Sequence, residues 1–231
     1  MIRKFKALGV ALVAVMAMSA FVASAAQAIH IDTGTYPATV HGTGENIGEE
    51  FNTEAGQVKC KVSHYTGNVS EISSTLTVHP TYTECSAFGF LSATVSTEEC
   101  NYVFHATEHE AATGTYRAHV DVTCPVGQSI KIVASTCKAE VKAQTGLTTV
   151  DITNMTGAPG SGITDDLTVK ATLGKGKEGG GNGKEGPVAY TVTQDGIGCP
   201  FSGTGAKTGG EYATKEYFTL TSSTGKLTIT T

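Results

Sequence analysis

The sequence predicts an all-β fold, an antiparallel sandwich or a closed, barrel-like sandwich pinned by disulfide bridges. Three observations carry this. Apolar and polar residues alternate with period two in segment after segment, about ten residues apart, with Gly, Thr or Asn turns between. Threonine outnumbers every other residue type and tryptophan is absent, and a β-branched side chain suits the exposed face of a strand. Six cysteines fall in the part of the chain expected to be exported, and an even count there implies bridges.

Export is read from residues 1–28. Arg3, Lys4 and Lys6 precede an apolar run from Ala7 to Val22, and Ala26-Gln27-Ala28 supplies a small-residue cleavage site. The run is short and Ala-rich, with no basic stop after it, which argues against a retained membrane span. Cleavage leaves residues 29–231, expected to form a single all-β domain. Losing the three leader cations leaves 13 basic residues against 21 acidic, a net charge of about −8. Such a surface repels nucleic acid and anionic lipid. The expected location is outside the cell or on its surface, and the partner left open is an envelope component or another protein.

In chain order, residues 29–56 read as turn-rich, with an edge strand near Tyr36 to Val40 where Pro37 fits an edge. From Gln57 to Tyr65, Val58, Cys60 and Val62 share one face, and Lys59, Lys61 and Ser63 the other. Strands follow at Ser73–Val78, Leu91–Thr97 and from Cys100 through Phe104. The clearest half-buried strand sets Tyr116, Ala118, Val120, Val122 and Cys124 against Arg117, His119, Asp121 and Thr123. Ser129–Ala134, Cys137–Ala143, Leu147–Asn154, Asp166–Leu173, Val188–Gln194, Tyr212–Thr221 and Leu227–Thr230 complete the set. Residues 174–186, rich in Gly and Lys, read as a flexible hairpin loop.

Cys100 and Cys124 are equidistant from Ala112, in the turn-like stretch between their strands. A hairpin with that centre brings them face to face, close enough to bridge. Pairing Cys60 with Cys85 then leaves Cys137 with Cys199, one of 15 connectivities that six cysteines allow.

The run His79-Pro-Thr-Tyr-Thr-Glu-Cys-Ser-Ala-Phe-Gly-Phe90, followed by Cys100-x-Tyr102, Cys124-Pro125 and Ala143-Gln-Thr-Gly-Leu147, resembles secreted proteins of soil actinobacteria of the Solirubrobacter type. The resemblance is good over residues 57–154 and loose elsewhere. It implies export and β structure. That group has no established activity, so it supplies no catalytic or binding residues.

Candidate chemistry is sparse. His105-Ala-Thr-Glu108-His109 matches the H-x-x-E-H zinc pattern, which needs a helix to set both imidazoles one turn apart. Here it follows a strand and runs toward a turn, so a chance match in a hairpin is the better reading. His105, His109 and His119 are the metal-ligand candidates, since adjacent strands bring such residues together, with His105 and His119 facing away from Cys100. Gly174-Lys-Gly-Lys-Glu-Gly179 has phosphate-loop spacing without the strand and helix that motif needs. No G-x-S-x-G elbow or C-x-x-C unit occurs. The pairs Glu49-Glu50, Glu98-Glu99 and Asp165-Asp166 read as solvated faces, because adjacent carboxyls on a strand do not span a cleft. Asn68-Val-Ser70 and Asn154-Met-Thr156 match the glycosylation sequon incidentally. No catalytic residue and no cofactor is assigned. The expectation is a non-enzymatic binding domain, with a secreted hydrolase, metal-assisted or not, as the alternative.

Overall fold

A computed structural model describes residues 28–155, 166–174, 187–214 and 218–231. Residues 1–27 of the expected leader, most of the Gly/Lys-rich stretch 174–186, Thr156 of the second sequon and Asp165 lie outside them. The described residues form fifteen strands: β1 His30–Asp32, β2 Ala38–Thr53, β3 Gly56–Val69, β4 Thr75–Ala87, β5 Leu91–Ser96, β6 Asn101–Glu110, β7 Thr115–Thr123, β8 Ile130–Ala134, β9 Cys137–Val141, β10 Gln144–Asn154, β11 Leu167–Leu173, β12 Val188–Asp195, β13 Gly205–Thr214, β14 Phe218–Ser222 and β15 Thr228–Thr230. No helix occurs among the described residues. All strand pairings among them are antiparallel.

The pairings close two circuits. One runs β2-β3-β4-β6-β7-β10-β11-β14 and back to β2. The other runs β2-β3-β4-β5-β8-β9-β12-β13 and back to β2. Each has eight strands, and both share the long hairpins β2-β3-β4. Residues Val40 to Thr43 of β2 pair with β14, whereas Glu49 to Asn52 pair with β13. In β4, Thr75 to Val78 pair with β6 and Cys85 to Ala87 with β5. The two circuits therefore share one wall and meet at a waist halfway along it.

At that waist the inward side chains change parity. Val40 and Gly42 are buried in the first half of β2, but Glu49 and Phe51 in the second, across a register shift between Glu45 and Glu49. In β3, Val58 and Cys60 give way to Ser63 and Tyr65, and in β4 Val78 and Pro80 give way to Cys85 and Ala87. Glu84, with φ 52°, sits at the β4 switch. A one-residue slip transfers every following side chain to the other face. Ser63, expected to face outward, is for this reason fully buried, while Val62 is only half-buried.

The edge strand expected near Tyr36–Val40 is instead the start of the 16-residue β2, which is central. Its glycines mimic turn chemistry, yet Gly42 is there for close approach. A Cβ on Gly42 would lie 2.5 Å from Leu220 Cδ2 and 3.0 Å from Tyr65 Cβ. Gly48, at φ +65°, takes a backbone conformation that disfavours other residues. The strand expected over Tyr212–Thr221 divides into β13 and β14, which serve different circuits.

Three bridges join Cys60 to Cys85, Cys100 to Cys124 and Cys137 to Cys199. The first links directly opposed residues of β3 and β4. The second closes the open end of the β6–β7 hairpin, whose register pairs Tyr102 with Val122 and Phe104 with Val120. The third ties the start of β9 to the loop after β12. Such bridges persist in an oxidising compartment. Among the described residues no helix is long and apolar enough to cross a membrane.

The ends are closed differently. β1 pairs with β15 across the end of the first circuit, where Ile31 bonds to Ser73 and Asn154 holds both the N–H and C=O of Ile229. At the opposite end Phe51, Phe88, Tyr190 and Phe201 meet in aromatic contacts with centroids 5.7 to 6.2 Å apart.

Candidate functional site

The waist holds a cavity of about 80 Å³. Val58 and Cys60 of β3, Phe104, Val120 and Val122 of the β6–β7 hairpin, and Ala171 and Leu173 of β11 line its apolar wall. Residues from both circuits contribute, because the parity change turns inward side chains from both halves of β2-β3-β4 toward the same space.

Among the described residues one acid stands in this wall. Glu49 is 3% exposed. Its Oε1 accepts hydrogen bonds from Ser63 Oγ and Tyr65 Oη, each at 2.5 Å, and its Oε2 accepts from Tyr212 Oη at 2.8 Å. Tyr82 and Tyr102 also line the cavity, their hydroxyls 2.9 Å apart. Burial raises the Glu49 pKa above the ordinary carboxylate range, outweighing the three donated hydrogen bonds, which pull it down. Burial likewise pushes Tyr65, Tyr82, Tyr102 and Tyr212 upward, with the Glu49 charge a further cause at each. These tyrosines stay neutral at any physiological pH. The site is thus an apolar chamber with one proton-binding group and a set of neutral hydroxyls.

The Glu49-Glu50 pair, expected to be solvated, is buried on both sides of the wall. Glu50 is 7% exposed and lies 3.7 Å from Lys59 on the outside. Asp166 is also buried, where its Oδ2 accepts the N–H groups of Ser222 and Leu227. Glu98 pairs with Lys131 and accepts the Ser129 N–H at 3.2 Å.

The histidine candidates separate. His105 and His119 are directly opposed on the outer face of the β6–β7 hairpin and stack, with centroids 4.5 Å apart and planes 10° from parallel. Burial first, then the neighbouring His105, lowers the His119 pKa. His109 does not join them. A bulge between Ala106 and Glu108 shifts the register and sets it opposite Tyr116, on which it stacks at 4.3 Å. The whole HATEH stretch is in β6, short of the turn expected to hold it, and it has no helix to make it a zinc motif. Asp121, which sequence reasoning placed on this face without weighing it as a ligand, is the third member of the group: its Oδ2 is 3.1 Å from His105 Nε2.

The fold and site define a class, an all-β closed-sheet protein with a lined internal chamber. No family model, no curated protein and no solved structure matches the chain.

Proposed function

We propose that this chain is an exported, non-enzymatic binding protein that holds a small, largely apolar molecule at the waist, its one polar group bonded to Glu49. The observation that carries this is the pairing of an apolar cavity of about 80 Å³ with the buried Glu49 carboxyl, the one acid among its described lining residues. That volume is several times what one water needs, and about half of an engineered cavity of ~150 Å³ that takes benzene. The occupant is therefore a molecule of a few heavy atoms, or the tail of a larger one. Glu49 accepts a hydrogen bond from an alcohol or amine, and when ionised it attracts a cationic amine strongly in this low-dielectric setting. The leader-like residues 1–28 and three bridges support export. All six cysteines are bridged, leaving no thiol for nucleophilic catalysis.

Short-chain aliphatic alcohols and amines, titrated into the protein and followed by amide chemical shifts, test the reading. Saturable shifts at the residues around Glu49, weakened by Glu49→Gln, are expected. Saturation confined to outer-face residues, or none with any of these compounds, would overturn it.

A further inference from the structure

We infer that the outer face of the β6–β7 hairpin is a divalent transition-metal site, with His105, His119 and Asp121 as ligands. One coordinating atom from each residue lies within 4.8 Å of the other two. In tetrahedral zinc coordination, with bonds of about 2.0–2.2 Å, ligand atoms stand about 3.3 Å apart. The 3.1 Å between His105 Nε2 and Asp121 Oδ2 is already near that spacing. Small χ rotations that splay the two stacked imidazoles bring the third ligand in.

A second observation points the same way. His105 Nε2 is buried, and it makes no hydrogen bond of acceptable direction, despite its short distance to Asp121. The two atoms stand side by side and not donor-to-acceptor, as two ligands of one cation do. A buried nitrogen without a hydrogen bond is costly; a bound metal satisfies it.

The surroundings fix the carboxylate. Asp121 Oδ1 accepts the Gly146 N–H at 2.7 Å, from the neighbouring β10, which leaves Oδ2 for a metal. The hairpin holding both histidines is stapled by Cys100–Cys124 and shared with the waist through its inner face, so its backbone is rigid. Side chains of His105 and Asp121 are 31% and 18% exposed, open enough for an ion to enter. Two imidazoles and one carboxylate suit zinc or copper more than calcium or magnesium. Three protein ligands leave a fourth position for water or an external donor.

The test is calorimetric zinc titration of untagged, fully oxidised protein, with cobalt absorption reporting coordination geometry. A single saturable zinc site is expected. His105→Gln, His119→Ala and Asp121→Asn each weaken it by at least about tenfold, while His109→Ala leaves it unchanged. Far-UV circular dichroism confirms that each variant folds, and the near-isosteric changes at 105 and 121 keep the test informative if His119→Ala does not. Absence of saturable binding, an octahedral cobalt spectrum of low intensity, or an equal loss in His109→Ala would overturn the inference.

Discussion

The waist and the capped end of the second circuit are both interior, both lined by aromatic and aliphatic side chains, yet only one is hollow. At the end, Phe88 comes from the turn after β4 and Phe201 from the bridged loop after β12. They fill the space against Phe51 and Tyr190 and leave a gap of about 10 Å³. At the waist every described lining residue belongs to a strand. These strands set tyrosine hydroxyls and a carboxyl there in place of more carbon. An eight-stranded closed sheet is just wide enough for its own side chains to fill. Whether it stays hollow depends on what the sequence puts at a few inward positions.

Removing the bridge that holds the end loop is expected to have the largest effect. Cys137→Ala with Cys199→Ala opens a closure of 62 residues, worth about 4 kcal/mol in the chain-entropy model. A chemical denaturation midpoint measures it. Phe201→Ala keeps the bridge but empties the end, and should cost about 3 kcal/mol in the same assay. Filling the waist is expected to act oppositely. Ala171→Val adds carbon to a space already present, so stability should stay within about 1 kcal/mol, while titrated alcohols lose their binding. A loss as large as that of Phe201→Ala would mean that the waist is as tightly packed as the end.

The smallest expected effect is a slope. The folded Glu49 pKa is raised, so the folded state holds this proton more tightly than the unfolded chain does. Its contribution is fully present below the ordinary carboxylate value of 4.5 and is lost as pH rises through the raised folded value. The stability of Glu49→Gln minus that of the wild type should therefore grow with pH across that window and then level off. Urea unfolding at a series of pH values reads it, and a difference that shrinks with rising pH would show that the three hydroxyls outweigh burial.

Much of the frame was legible in the alternation of residues. The β6–β7 hairpin, centred on Ala112, puts Phe104 opposite Val120 and His105 opposite His119, a consequence of period-two geometry within one local unit. The central strand β2 was illegible, because a glycine that makes room for Leu220 and Tyr65, as Gly42 does, looks the same in sequence as a glycine that makes a turn. His109 was misplaced by a bulge, which a count of alternate residues does not reveal.

The candidate site lies almost wholly on the illegible side. Glu49 meets Ser63, Tyr65 and Tyr212, the last 163 positions away, and it does so because three strands change face at one level. The chain's own pattern determined that this protein is β-structured and cysteine-bridged, since alternation and cysteine count are properties of short segments. Tertiary structure alone decided that Glu49 faces inward and Glu50 outward, since burial of a side chain depends on closure of the sheet and on slips in register. It likewise decided that Asp121, and not His109, completes the group on the outer face, since one bulge moves a residue from one face to the other.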